Sequence, residues 1–178
     1  MKINQLKKLL NDFGDSLHFE YDLKKKNWFN IGGKSKVFFR ANNLNQLINL
    51  IKVLNNQERI FILGAGSNIL ITDDLFDGVV IKLGKSFSNI TLHSEDIIIA
   101  GSAVLDKSLS DFALKNSLSG FEFLSCIPGT VGGGISMNAG CFGKEIKDIL
   151  VSVQAIDKFG RVVTIPSKEI KFEYRKNN

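Results

Sequence analysis

A short run of small and polar residues follows an apolar tetrapeptide, and its composition suits the binding of an anion. The run consists of Gly64, Ala65, Gly66, Ser67 and Asn68. Its glycines allow the backbone to turn sharply, so that successive N–H groups can converge, while the serine and asparagine side chains add donors. The pattern suits a diphosphate, and a tight turn between two strands explains it equally well.

The run differs from two common phosphate-binding motifs. The dinucleotide-binding fingerprint needs a third glycine and a long following helix, whereas residues 69–71 continue here as an apolar run. The Walker-type phosphate loop needs a Gly-Lys-Ser/Thr sequence, which does not follow these glycines. Neither motif therefore accounts for the run.

The longest glycine-rich segment covers residues 127–140 and mixes small residues with valine, isoleucine and methionine. Small residues let the backbone approach a flat, bulky ligand closely. Thr130, Ser136 and Asn138 can donate or accept hydrogen bonds at such a ligand. A flexible linker would lack the interspersed apolar residues, so the segment is predicted to contact a ligand.

Two shorter motifs carry less information when each is taken alone. Residues 30–33, Asn-Ile-Gly-Gly, are typical of a turn. In the pair Tyr174-Arg175, the guanidinium offers a planar fork for a carboxylate or phosphate. A surface-exposed pair is the default interpretation of that dipeptide.

Composition excludes several classes of function for this chain of 178 residues and formal charge +5. Its only basic run is 24–26, without interleaved aromatic residues, so we expect no nucleic-acid partner, whereas an anionic ligand would suit the charge. Two histidines and two cysteines lack zinc-ligand spacing, so we expect no metal, and Cys126 and Cys141 to be reduced thiols. We find no signal peptide and no transmembrane run, and expect a cytoplasmic protein without membrane contact.

Periodicity of the apolar residues predicts alternating helices and strands. Helical spacing occurs over 3–13, 44–54 and 105–113. Strand patterns occur over 37–41, 60–63 (a buried strand), 79–81, 97–100, 151–156 and 161–165, the last two as a hairpin around 157–160. The order is not a strict βαβ alternation, so it predicts an α+β domain rather than a doubly wound sheet.

Taken in order, the four motifs resemble those of the UDP-N-acetylenolpyruvoylglucosamine reductases, also called UDP-N-acetylmuramate dehydrogenases. The resemblance runs from about Trp28 onward, and the Pro-Gly-Thr-Val-Gly-Gly…Met-Asn-Ala-Gly segment is its most distinctive part. It implies an FAD-binding domain of the vanillyl-alcohol oxidase and p-cresol methylhydroxylase type over 26–178. The implied subdomains cover about 26–85 and 86–178 with the flavin between them, after a helical leader over 1–25.

The resemblance also implies cofactors and a reaction. NADPH would reduce non-covalently bound FAD, and the hydride would pass to the enolpyruvyl double bond of a UDP-sugar, giving UDP-N-acetylmuramate for peptidoglycan synthesis. Gly64 to Asn68 would cradle the FAD diphosphate. The other cofactor contacts implied by similarity are Ile127, Pro128, Gly129, Thr130, Gly132, Gly133, Asn138, Ala139 and Gly140.

For the substrate, the resemblance implies roles for Tyr174 and Arg175. Arg175 matches a catalytic arginine that binds the enolpyruvyl carboxylate and stabilises the enolate-like intermediate, and Tyr174 matches the neighbouring aromatic. Positive charge placed in advance where negative charge develops is the physical basis of that role.

The chain departs from the family pattern in three respects. Cys126 and Gly134 stand where relatives more often have glycine and alanine. The proton-donating serine and a late glutamate of the family belong to a C-terminal substrate domain that we expect to be absent. A second polypeptide supplying that domain, a non-catalytic FAD-binding fragment, and another flavin oxidoreductase of the same fold are the alternatives left open.

Overall fold

The computed structural model describes residues 13–177, which form two compact units. The first takes in the described residues up to Gly84 together with Ile156–Val162. The second consists of Lys85–Ala155 and the residues from Val163 on. Residues 156–162 form the tip of a hairpin. The sequence placed them in the second subdomain, whereas in the structure they belong to the first unit.

A four-stranded mixed sheet forms the first unit. Its strands are β1 (Leu17–Asp22), β2 (Lys34–Ala41), β3 (Ile60–Leu63) and β4 (Phe76–Leu83), in the spatial order β1-β2-β4-β3. β1 is antiparallel to β2, whereas β2 and β3 both run parallel to β4. In the central strands β2 and β4, consecutive residues are buried. Because consecutive side chains of a strand point to opposite faces, both faces of these strands are covered, and they form the core of the unit.

Helix α1 (Leu44–Leu54) coincides with the predicted helix over 44–54. Asn43 caps its first turn, since the side-chain oxygen accepts a hydrogen bond from the Gln46 N–H at 2.9 Å. The helix ends at Asn55, whose φ of +44° is the left-handed conformation common at helix C-termini. Leu47, Leu50 and Leu54 form its buried face.

Two predictions for the first unit are wrong in part. The helical leader over 1–25 is contradicted at residues 17–22, which form β1 because they pair with β2; most of the 3–13 helix lies outside the described residues. The strand over 60–63 exists but is not buried, since Ile60, Phe61 and Ile62 are exposed and only Leu63 is buried. β3 lies at the edge of the sheet, so one of its two backbone edges has no neighbouring strand among the described residues.

The second unit consists of short helices and hairpins, and it contains one buried apolar cluster. Its helices are α2 (Asp106–Lys115) and α3 (Val131–Ser136). Its paired strands are β5 (Ile90–Leu92) with β6 (Ile98–Ala100), β7 (Gly140–Cys141) with β8 (Lys144–Glu145), β9 (Ser152–Ile156) with β10 (Val162–Pro166), and β11 (Phe172–Glu173) with β12 (Lys176–Asn177). The cluster consists of Val104, Leu109, Phe123, Leu124, Val131, Ala139 and Ile146. The predicted hairpin around 157–160 is confirmed.

Candidate functional site

The loop Gly64–Asn68 leaves β3 and is tied to its surroundings through two carbonyl groups. The Lys82 ammonium donates to the Gly64 carbonyl at 2.8 Å. The Trp28 N–H donates to the Gly66 carbonyl at 3.0 Å. Both carbonyl groups therefore accept hydrogen bonds from the protein itself.

The orientation of these carbonyls decides where the neighbouring N–H groups point. In a planar trans peptide, C=O and N–H point in opposite directions, and the described chain contains no cis peptide. The N–H groups of Ala65 and Ser67 therefore point away from Lys82 and Trp28. Among residues 13–177, no backbone carbonyl accepts a hydrogen bond from either group. The loop thus presents two oriented donors for an anion.

Gly66 is required by the protein's own backbone. Its φ is +75°, and a Cβ atom here would lie 2.3 Å from the Lys26 carbonyl oxygen and 2.8 Å from the Asn27 Cα. Asn27 is itself held, because its amide donates to the Ile31 carbonyl at 2.7 Å. A side chain at position 66 would thus displace the loop from this wall, whatever ligand the loop binds.

The glycine-rich segment 127–140 contains a short helix, α3, that its composition did not predict. Thr130 caps the helix, its hydroxyl accepting from the Gly133 N–H at 3.4 Å. The N–H groups of Val131 and Gly132 donate to the carbonyls of Val104 and Ser102, both at 2.9 Å. The first N–H groups of the helix therefore form hydrogen bonds within the unit, and these bonds fix the position of the segment.

Most glycines of this segment pack against protein atoms. A Cβ on Gly129 would lie 2.5 Å from an Asp106 carboxylate oxygen, and one on Gly132 2.9 Å from the Ser102 Cβ. Gly133 differs, since it is exposed and its nearest restraint is the Thr130 hydroxyl at 3.3 Å. Close internal packing explains why glycine is needed at positions 129 and 132. Gly133 is the one of these three glycines whose backbone is exposed to solvent.

Asp106 lies beneath this segment as the first residue of α2. Its side chain is completely buried, and neither carboxylate oxygen has a hydrogen-bond partner among the described residues. Its backbone N–H donates to the Gly129 carbonyl at 3.2 Å. Burial raises the pKa of the carboxyl group to about 6, because the charged form is poorly solvated there.

Asn138 joins three parts of the second unit rather than presenting its side chain to solvent. Its amide donates to a Glu145 carboxylate oxygen at 3.1 Å and to the Glu173 carbonyl at 3.4 Å, while its oxygen accepts from the Lys147 N–H at 3.2 Å. The residue is buried, with a φ of +42°. Its side chain thus positions β8 and β11 relative to the end of α3.

A cavity of about 470 Å³ in the second unit brings part of the predicted site together. Its predicted members are Asn138, Gly140, Tyr174 and Arg175. The members that the sequence did not indicate are Cys141, Phe142, Gly143, Lys144, Glu145, Lys147 and Asp148. The Phe-Gly dipeptide at 142–143, a turn signal, could have pointed to this second wall.

Two tight hairpin turns border the cavity, and each holds a large side chain in the left-handed region. Phe142 has a φ of +53° between β7 and β8, and Arg175 a φ of +59° between β11 and β12. Glycine is the residue that such positions favour, so a bulky residue there costs about 1 kcal/mol or more. Phe142 and Tyr174 are 84% and 83% exposed, and the Arg175 guanidinium lies 5.7 Å from the Tyr174 ring centroid.

Charges around this cavity are unequally matched. Lys147 pairs with Glu145 at 2.5 Å, and this hydrogen bond lowers the pKa of the Glu145 carboxyl group. Asp148 accepts the Glu145 N–H at 2.9 Å as a cap. Within residues 13–177, no carboxylate lies within ion-pair distance of Arg175, so its fork can receive an anion.

The Asn-Ile-Gly-Gly motif at residues 30–33 is held by contacts within the protein. Gly33 packs against the Asp73 backbone and donates to the Thr72 carbonyl at 2.8 Å, so the 30–33 motif forms a structural turn. No three metal-ligating side chains cluster among the described residues. Within the same residues, every helix is too short or too polar to cross a bilayer.

The chain is similar to known proteins both in sequence and in structure. The profile of the family described as FAD binding domain matches residues 35–166. A UDP-N-acetylenolpyruvoylglucosamine reductase from Pelagibacter ubique is 61% identical over 178 residues, 100% of this chain and 59% of that protein. The crystal structure of such a reductase from Thermus caldophilus matches with a TM-score of 0.75 and 27% identity, over 90% of this chain and 55% of that chain.

A more distant structure shares the architecture. The 4-ethylphenol oxidase from Gulosibacter chungangensis matches with a TM-score of 0.66 and 13% identity, over 91% of this chain and 34% of that chain, so this likeness concerns the fold alone. The chain spans 59% and 55% of the two reductases described above. These two relatives give no support to the hypothesis that a second polypeptide supplies a substrate domain.

Substituting Gly66 with alanine should destabilise the ligand-free protein more than the same change at Gly143. Both glycines have a φ of +75°, so the backbone penalty of about 1 kcal/mol is shared. Only Gly66 also faces backbone atoms, whereas nothing lies within 4 Å of a Cβ at Gly143. We expect a further loss of about 1–3 kcal/mol for Gly66→Ala in urea unfolding. Equal losses would show that the Lys26 wall does not restrict the loop.

The substitution Asp106→Asn should stabilise the protein at neutral pH and have little effect near pH 4. Because the folded pKa is raised to about 6, the folded state holds its proton more tightly than the unfolded state. Stability of the native protein should therefore fall by about 2–3 kcal/mol as the pH rises from about 4 to about 7, and the asparagine variant should escape this loss. Urea unfolding across this range measures it, with Asp111→Asn on the exposed part of α2 as the control. A pH-independent difference between Asp106→Asn and the native protein would contradict the prediction.

Proposed function

Because this chain belongs to the FAD binding domain family, we propose that it binds FAD without a covalent bond and takes part in reducing UDP-N-acetylglucosamine enolpyruvate to UDP-N-acetylmuramate. Its fold is the α+β FAD-binding domain of the vanillyl-alcohol oxidase and p-cresol methylhydroxylase type. The predicted resemblance to UDP-N-acetylenolpyruvoylglucosamine reductases is confirmed by the Pelagibacter and Thermus proteins. NADPH as the reductant, and a place in peptidoglycan precursor synthesis, are proposed from that resemblance.

The observation that carries the cofactor proposal is the orientation of the loop Gly64–Asn68. Two anchored carbonyls turn the Ala65 and Ser67 N–H groups outward. Outward-pointing backbone donors suit the two negative charges of a diphosphate, and the Ser67 hydroxyl and the Asn68 amide add further donors. We therefore assign this loop to the diphosphate of FAD.

A second group of cofactor contacts is proposed in the second unit. Its members are Ile127, Pro128, Gly129, Thr130, Gly132, Gly133, Asn138, Ala139 and Gly140. Gly133 supports the assignment best, since its backbone is exposed and a Cβ atom there would meet only the Thr130 hydroxyl, at 3.3 Å. The buried side chain of Asn138 is engaged within the protein, so any contact there would involve its backbone.

The bound flavin would supply the hydride-transfer chemistry. Arg175 would hold the enolpyruvyl carboxylate by its planar fork, with Tyr174 beside it. Negative charge spreads toward that carboxylate when the double bond accepts a hydride, so a fixed guanidinium stabilises the transition state. The cavity lining contains no serine, and protonation of the adjacent carbon is not assigned to a described residue.

A cytoplasmic location is proposed on chemical grounds. Cys126 and Cys141 are both free thiols, which the reducing cytosol maintains. The activity, substrate and location of the whole protein are proposals, because the chain spans 59% of the Pelagibacter reductase.

The purified chain should bind FAD reversibly and release it on acid denaturation. Ser67→Ala should weaken FAD binding by about 3- to 10-fold, because one hydroxyl donor to the diphosphate is lost. Ser94→Ala is the matched control, since that exposed hydroxyl bonds to Asp96 at 2.9 Å. Flavin fluorescence titration measures both affinities. A protein that is folded by circular dichroism but takes up no FAD would overturn the cofactor proposal.

Arg175→Met should weaken binding of the enolpyruvyl UDP-sugar by about tenfold or more, because a charge-assisted hydrogen bond is lost. Arg175→Lys should recover only part of the affinity, since an ammonium cannot form the bidentate fork. The control is Arg161→Met, which removes an exposed arginine whose Nε pairs with Asp157 at 2.6 Å. Calorimetric titration distinguishes them, and equal affinities for all the variants would exclude Arg175 from the substrate site.

A further inference from the structure

Lys82 lies beneath the loop Gly64–Asn68, and the function proposed above uses it only as the anchor of the Gly64 carbonyl. It belongs to the central strand β4, where it pairs with Leu63 of β3 on one side and with Arg40 of β2 on the other. β3 ends at Leu63, so the loop begins directly beside Lys82. The half-buried ammonium reaches the Gly64 carbonyl at 2.8 Å.

The charges around Lys82 are all of one sign. Burial lowers the pKa of its ammonium, and repulsion from Lys26 and then from Arg40 lowers it further. Among the described residues, no carboxylate contributes to that shift. Lys26 is held against two aromatic rings, with its ammonium 5.4 Å from the ring centroid of Tyr21 and 5.9 Å from that of Phe38. A half-buried cation that two other cations repel is unfavourable unless an anion approaches.

We propose that Lys82 is a positioning residue for the diphosphate loop, which orients the Gly64–Ala65 peptide and neutralises part of the charge of a bound diphosphate. This inference rests on the proposed binding of FAD. The hydrogen bond to the Gly64 carbonyl turns the Ala65 N–H outward, because the two groups point in opposite directions. Lys82 thus acts on the anion through the loop backbone.

The charge of Lys82 has a second effect in this geometry. A positive group bound to the carbonyl polarises the peptide and makes its N–H a stronger donor. The ammonium has three N–H bonds, of which the Gly64 carbonyl takes one. Because Lys26 and Arg40 carry charge of the same sign, the loop side of the sheet is electropositive, and a nucleoside diphosphate fits that field better than an uncharged flavin.

The test compares ligands that differ in the diphosphate. Lys82→Met should weaken binding of FAD and of ADP by about 10- to 100-fold, because a charge-assisted interaction is lost. Riboflavin carries no phosphate, and its affinity should stay unchanged. Lys82→Arg retains the charge and should recover most of the ADP affinity. Calorimetric or fluorescence titration with each ligand gives the constants, after circular dichroism has shown that each variant is folded.

Lys36→Met is the matched control, because Lys36 also lies in a central strand of the sheet but pairs with Asp77 at 2.8 Å. It should leave ADP affinity unchanged. Equal losses for riboflavin and ADP in Lys82→Met would overturn the inference and assign Lys82 a purely structural role. Unchanged ADP affinity would overturn it as well.

Native protein that binds neither FAD nor ADP would instead refute the proposed function, so the two failures are distinguishable. A second measurement remains decisive if Lys82→Met does not fold. ADP affinity of the native protein should fall as the pH rises toward the ordinary pKa of lysine, since burial and repulsion from Lys26 lower the pKa of the Lys82 ammonium. Lys82→Arg should resist this fall. The same fall in both proteins would overturn the inference.

Discussion

Close approach between backbone segments is the constraint on which this structure depends. Gly66 faces the carbonyl of Lys26 with no room for a side chain, and Gly140 faces the Lys144 carbonyl in the same way. Such contacts hold loop backbone in a defined orientation. At the loop Gly64–Asn68, the consequence is chemical, because anchored carbonyls on one side leave oriented N–H groups on the other.

The parallel strands of the first unit provide the rigid support for that loop. β2 and β4 are buried on both faces, and β3 ends one residue before the loop begins. Lys82 is therefore placed by strand register, with little freedom of its backbone. Burying half of a lysine ammonium here lowers the stability of the folded protein. Functional sites commonly contain groups that lower stability but serve binding.

The second unit uses buried polar side chains for the same purpose. Asp106 packs against the glycine-rich segment without a hydrogen-bond partner among the described residues, while Asn138 satisfies both its amide and its oxygen. The two hairpin turns with Phe142 and Arg175 add strained backbone at the cavity rim. Residues kept in unfavourable conformations cluster at functional sites, and here one of the two is Arg175, the arginine proposed to bind substrate.

The sequence by itself determined the helix over 44–54, the hairpin around 157–160 and the motifs that identify the family, because periodicity, turn residues and glycine spacing are local properties. Tertiary structure alone decided that β3 is an edge strand, that residues 17–22 pair as a strand, and that Gly66 and Gly129 are required by internal contacts. It also brought Lys82 beneath Gly64, and it placed Lys144 in the lining of the same cavity as Arg175. These relations join residues distant in the chain, and their distances depend on strand order and packing, which no local pattern encodes.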